Sequence, residues 1–411
     1  MSTGAAAPPV VAPPPGHPRF PLIDSLRAIA AIAVVMDHAG GLTVTSLDGL
    51  ISHGEAGVAV FFAISGFLLY RPFVSARLNG APRTQLRDYL RRRILRIVPA
   101  YWLALTVLAI WPGLTGVFTG HFWVYYGFAQ IYNDGWALNG IAPAWTLCIE
   151  LTFYVALPLY AAAVSGLLRR LPRSRQVAAE STLLVAIGAA SLAYRYTLRS
   201  HSSLSPVLNA LPTHLDWFAP GMLLAVLSAS WQGRELPAAA RLLARRPAIS
   251  VALGVGAYVL VSTSVGGPEP LRIFTHTALI YTGRQDVARH LLYAAFGAGL
   301  LIPAVIGEGG AYRRLLASPV LAWLGLISYG IYLWHQSLVV WACQPGPFLG
   351  CRFHGVPGLH HAPFVALTAI GLIAAIACAA ASYYLVERPI LRFKNGRVRG
   401  AAPARAPVRA T

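Results

Sequence analysis

Apolar runs long enough to cross a lipid bilayer recur from one end of the chain to the other, with short arginine-rich stretches between them. A helix needs about 20 mostly apolar residues to span the hydrocarbon core. Ten segments fit, at residues 21–41, 54–73, 98–118, 142–168, 180–199, 213–231, 248–265, 286–306, 318–341 and 363–386. The pattern predicts an all-α polytopic membrane protein with about ten transmembrane helices. Pro158 falls inside the fourth segment and Pro220 near the start of the sixth, breaks that neighbouring helices tolerate. Residues 1–19 are Pro/Ala-rich, lack the basic start of a signal peptide and read as a disordered cytoplasmic tail. Residues 20–390 read as one transmembrane domain and 391–411 as a basic disordered tail.

Charge fixes an expected orientation. With the N-terminus inside, the cytoplasmic segments hold 26 basic residues, the outer segments and helix ends hold 6, and Arg27 lies within the first segment. Membrane proteins concentrate basic residues in cytoplasmic loops. Both termini are therefore expected in the cytoplasm. The same argument accounts for the net charge of +19 without nucleic acid. The composition agrees: 56% hydrophobic, only 11% charged, mean hydropathy +0.58. Soluble domains carry about 25% charged residues. The four cysteines show no CxxC or Cys/His spacing, so no structural zinc is expected. Cys343 and Cys351 fall in a predicted outer loop where a disulfide fits an oxidising exterior. Cys148 and Cys378 read as buried apolar residues.

Ionisable residues inside apolar segments are expensive and usually mark function. The first segment carries Arg27, Asp37 and His38, with Asp24 just upstream. Eleven residues make three helical turns plus about 20°, so Arg27 and His38 project from one face, about 16 Å apart along the axis. Asp24 stands three residues before Arg27 and can pair with it. His38 is a candidate general base. The second segment holds Ser65-Gly66 among phenylalanines, a close-packing signal or a ligand wall. In "RRRILRIVPAYW", Arg92, Arg93 and Arg96 precede a helix expected to begin near Pro99. Arg93 and Arg96 can share a face and suit phosphate, or bind anionic headgroups. The fourth segment places Glu150 shortly after Trp145 and Thr146, where a carboxylate needs a partner or a proton. It could orient His38, act itself as acid or base, or pair with an arginine. The ninth segment carries Ser328, Tyr329, Tyr332 and His335, which either join the site or serve structure.

These motifs, in this order, resemble the acyltransferase family 3 of integral membrane O-acyltransferases. The matching stretches are "IDSLRAIAAIAVVMDHAG", "GVAVFFAISGFLL", "RRRILRIVPAYW", "PAWTLCIELTFYVALPL", "LGLISYGIYLWHQ" and the "VERP" at Val386–Pro389, together spanning about residues 20 to 390. The resemblance implies a multi-pass protein of a bacterial inner (plasma) membrane. It implies acyl transfer, commonly of acetyl, from cytoplasmic acyl-CoA as co-substrate to a carbohydrate hydroxyl, with no permanently bound cofactor. By the same resemblance His38 is the essential first-helix histidine, Arg27 its arginine partner, Arg93 and Arg96 the donor-side RxxR pair, and Glu150 the glutamate following a Trp-Ser-Leu pattern. That pattern reads Trp145-Thr146-Leu147 here, which keeps the hydroxyl. Asp37 stands where the family often has another residue. Asp37, Trp145, Thr146, Ser65, Tyr332 and His335 are candidate acceptor or supporting residues. Some members carry an appended extracytoplasmic hydrolase-like domain; none is expected here, so any second transfer step would need a separate extracytoplasmic partner enzyme. Direct transfer and an acyl-histidine intermediate both fit. The alternative is a carrier for a glycan or lipid precursor, against which the sequence shows no internal repeat.

Overall fold

The computed structural model describes residues 20, 22–43, 48–51, 53–133, 135–201, 206–262, 282–343 and 362–394. Among them the regular structure is helical, with no strand. Ten helices have fifteen residues or more: α1 (Leu22–Gly40), α2 (Ala56–Asn79), α3 (Leu86–Leu108), α4 (Trp145–Leu168), α5 (Arg173–His201), α6 (Leu215–Trp231), α7 (Pro247–Val261), α8 (Gly283–Ile306), α9 (Ser328–Cys343) and α10 (Ala362–Ser382). Each overlaps one of the ten apolar segments. Six helical stretches are long and apolar enough to cross a membrane: Ala56–Asn79, Leu86–Gly113, Ala142–Leu168, Arg173–Ser200, Gly283–Ile306 and Phe364–Leu391. Joining Ala238–Arg245 to α7 across an 85° bend gives up to seven. The tail at 1–19, residues 395–411 of the tail expected at 391–411, and Cys351 with its expected pairing to Cys343 lie outside the described residues, while residues 391–394 of that tail are helical.

The helix ends differ from the sequence expectation. α3 starts at Leu86, not near Pro99, which lies inside the helix. α2 continues past Pro72 to Asn79, where Gly80 turns left-handed (φ 66°) and its N–H bonds to the Ser75 carbonyl. Hydropathy finds the apolar stretch of a helix, not its ends, because charged residues extend a helix into the interface by snorkelling. The ninth segment divides at Ile327 into Pro319–Leu326 and α9. Thr282 and Gln285 form a capping box that starts α8.

α1 lies at the centre. It packs against α2, α8, α9, α10 and Pro319–Leu326. Its Leu22, Ile23, Leu26, Ala30 and Val34 belong to one apolar core with α2, α4, α6 and α8. Its Ala31, Val35 and Ala39 belong to a second core with α3, α9 and α10. The close contact of α2 with α6 needs glycine on both sides. A Cβ on Gly66 would lie 2.4 Å from the Phe218 carbonyl oxygen, and one on Gly221 would lie 1.8 Å from that of Ala63. Gly66 therefore packs α2 on α6, while its neighbour Ser65 serves the site described below. Large apolar side chains on outward faces, such as Leu385 (76% exposed) and Leu167 (75%), suit lipid better than water.

Gly221→Leu should cost about 3 kcal/mol or more through backbone overlap. Gly166, with nothing within 4 Å of an added Cβ, should accept alanine with unchanged or slightly higher stability. Thermal unfolding in detergent checks both.

Candidate functional site

One cavity joins helices from all parts of the sequence. α1 gives Arg27; α2 gives Phe61 and Ser65; α3 gives Arg93, Arg96 and Ile97; α4 gives Thr146, Glu150 and Tyr154; α9 gives Ser328, Tyr329 and Tyr332. Its volume is about 70 Å³. Sites that enclose a drug-sized ligand run to about 300–1,000 Å³, so this one admits the tip of a molecule rather than the whole.

The polar groups in it are built with care for their partners. Arg27 donates to Asp24 at 3.0 Å, the i,i+3 pair expected of α1. Glu150 accepts from Ser65 Oγ and from Tyr154 OH, each at 3.0 Å. Arg93 keeps a buried Nε–H with no hydrogen-bond partner among the described residues. Three guanidiniums thus share the cavity with one carboxylate, and a neutral or anionic ligand meets a positive wall. Tyr332 OH and Thr146 Oγ1 are 3.0 Å apart and both donate to the Pro143 carbonyl, at 3.1 and 3.0 Å. These bonds satisfy a carbonyl just ahead of α4 and fasten α9 to it.

His38 does not line this cavity. Its Nδ1 is 2.9 Å from the Val34 carbonyl and 3.3 Å from Nε2 of His335. The two rings meet edge to face, centroids 4.9 Å apart and planes at 73°. Tyr332 joins the two regions: it lines the cavity, and its carbonyl lies 2.8 Å from His335 Nδ1 one turn along α9. The hydrogen bonds of Glu150 go to α2 and to its own helix, not to His38. Trp145 also stands off the cavity, its ring centroid 5.4 Å from His214. Arg92 is not part of the wall. Tyr154, which the sequence reading passed over, was within reach of it as the i,i+4 neighbour of Glu150.

A second ionic group gathers where α5 ends and α6 and α8 begin. Asp286 receives Arg195 Nε at 2.6 Å and Arg289 Nη2 at 3.0 Å, with Arg199 at 3.4 Å. Arg289 also reaches Glu55, at 3.5 Å. Asp216 accepts from Ser191 at 3.0 Å and pairs with His290 Nδ1 at 2.9 Å, while Trp217 stacks on the His290 ring. Asp37 sits beside this group, within the electrostatic reach of Glu55 and Arg289. These side chains partner one another and clamp three helices together. Among the described residues, no group of three or more His, Cys, Asp or Glu is placed to hold a metal ion.

A family model described as an acyltransferase domain matches residues 20–384. YrhL of Bacillus subtilis (strain 168), named for peptidoglycan O-acetylation, is 25% identical over 389 residues, covering 91% of this chain and 55% of its own length. The O-acetyltransferase OatA of Staphylococcus aureus (strain NCTC 8325 / PS 47) is 24% identical over 342 residues, covering 79% of this chain and 51% of OatA. The chain thus spans about half the length of these two relatives. The exopolysaccharide production protein ExoZ of Rhizobium meliloti (strain 1021) is 28% identical over 358 residues, covering 84% of this chain and 92% of ExoZ. No solved structure matches.

Asp286 is fully buried, and its loss would strand the arginines around it. Asp286→Asn should destabilise the fold by about 3–5 kcal/mol, seen as a lowered unfolding temperature in detergent.

Proposed function

Because this chain belongs to the acyltransferase 3 family, we propose that it is a membrane-bound O-acyltransferase. It moves an acyl group, by analogy with the O-acetyltransferase OatA an acetyl group, from acyl-CoA to a hydroxyl of a carbohydrate-containing acceptor. The name of ExoZ supports a polysaccharide acceptor. One observation carries the reading: a small cavity with three guanidiniums, one bearing an unpaired buried N–H, stands one helical turn from a pair of histidines, His38 and the buried His335.

The roles follow from position. Arg93 and Arg96 take the phosphates of CoA, since guanidinium donors match phosphate oxygens in pairs. Arg27 guards the arm that enters the cavity, and Glu150 accepts hydrogen bonds from it. The cavity is too small for the nucleotide, so only the acyl-pantetheine end passes the arginines, toward Tyr332 and Thr146. His38 takes the proton from the acceptor hydroxyl. The hydroxyl oxygen bonds to the acyl carbonyl carbon, the carbon–sulfur bond breaks, and the sulfur leaves as the thiol with that proton. An acyl-histidine intermediate would use the same nitrogen in two steps.

The topology belongs to the same reading. All ten helices cross a bacterial inner membrane, α6, α7 and α9 with help from flanking turns because they have only 17, 15 and 16 residues. The side with 26 basic residues is the cytoplasm, where acyl-CoA is supplied.

The test is CoA release from acetyl-CoA by the purified protein in nanodiscs, with a cell-envelope glycan extract as acceptor. His38→Gln should lower kcat by about 10²–10⁴-fold. Arg93→Gln with Arg96→Gln should raise KM for acetyl-CoA at least tenfold. A folded His38→Gln protein with full turnover, or wild-type protein that moves a glycan without binding acetyl-CoA, would contradict the reading.

A further inference from the structure

His335 is fully buried, at 0% exposure, in the middle of α9. Its Nδ1 lies 2.8 Å from the Tyr332 carbonyl and 3.2 Å from that of Ile331. Carbonyl oxygens only accept, so Nδ1 carries the proton. In a neutral imidazole the other nitrogen then holds the lone pair, and His335 offers an acceptor at Nε2. That acceptor is 3.3 Å from Nδ1 of His38. The second neighbour of His38 Nδ1, the Val34 carbonyl at 2.9 Å, is also an acceptor. One protonation pattern satisfies every contact: His38 holds its proton on Nδ1 and leaves Nε2 bare. The opposite tautomer would set three lone pairs against one another and leave these hydrogen bonds unmade.

We propose that His335 is a positioning residue that fixes His38 as its Nδ1–H tautomer and so directs the His38 Nε2 lone pair at the acceptor hydroxyl. The inference rests on the reading of His38 as the base. His335 acts through His38 and touches neither substrate. It does the work that a carboxylate does in many hydrolases, where a hydrogen bond to one ring nitrogen sets the role of the other. When His38 takes up a proton on Nε2, its Nδ1–H still faces the His335 lone pair, and the hydrogen bond strengthens as charge develops. Packing alone explains the contacts of His335 with its own helix. It does not explain why the remaining nitrogen, on an edge-on ring at 73°, points at the nitrogen of another histidine 297 residues away.

Two variants and one spectrum test this. His335→Leu removes the acceptor; His335→Gln keeps one, an amide oxygen near the place of Nε2. His335→Leu should lower kcat about 10- to 100-fold, the usual range for a group that orients a reacting ligand, with KM for acetyl-CoA unchanged. His335→Gln should recover most of that loss. Nitrogen-15 NMR of histidine-labelled protein in nanodiscs, with the His38 signals identified by their loss in His38→Gln, reads the tautomer directly. Wild type and His335→Gln should show His38 protonated on Nδ1; His335→Leu should show a mixture. A wild-type spectrum with the His38 proton on Nε2 overturns the proposal whatever the activity. So does His335→Leu with wild-type tautomer and kcat, or His335→Gln as impaired as His335→Leu. Should His335→Leu fail to fold, the wild-type spectrum and His335→Gln decide. Full activity in His38→Gln would instead remove the base while the spectrum still reports on the pair.

Discussion

Charge in an apolar interior must be partnered, and this molecule meets that demand at three levels along its helices. At one end Glu180 holds Tyr70 and Arg77, and Arg71 donates to Ser228 and Gln232. At the other end Asp286 gathers arginines from two helices. Carboxylates pair arginines at both levels, although the Nε–H of Arg77 has no hydrogen-bond partner among the described residues. Between them stands the cavity, where three guanidiniums, one of them with an unpaired N–H, face one carboxylate. α1 makes this possible because it is shared by both apolar cores. Its apolar faces are consumed by packing, and Arg27 is left to the cavity. The carboxylate-paired levels give rigidity; the cavity, with its excess of guanidinium, gives a place for an anion.

Much of this was legible in the sequence. Ten apolar segments overlap ten helices because burial on a helix requires a run of apolar residues whatever the surroundings. The Arg27–Asp24 pair is a local contact that helical spacing dictates. The ends of α2 and α3 were not legible, since a helix that leaves the apolar zone carries arginine without stopping. Nor was the break at Ile327, where no charge or proline interrupts the hydropathy. In the site, Ser65 and Glu150 each stood out alone, but their meeting across 85 residues is a product of the fold. The ionic group at Asp286 was hidden for the same reason. Its partner Arg195 is 91 residues distant, and each looked like an ordinary residue at the end of a span.

The geometry divides labour between two places that Tyr332 connects. The cavity is positive, narrow and lined by tyrosine and phenylalanine, suited to holding the end of an anionic donor. The histidine pair does not line that cavity, and Tyr332 contributes to both places.

The most direct measurement is a cryo-EM structure of the protein in nanodiscs with a non-hydrolysable acetyl-CoA analogue. The account predicts phosphate density against Arg93 and Arg96 and the acyl end at Tyr332, on the way to Nε2 of His38. Phosphates seated at the Asp286 group, or an analogue bound elsewhere with the arginine cavity unfilled, would contradict it.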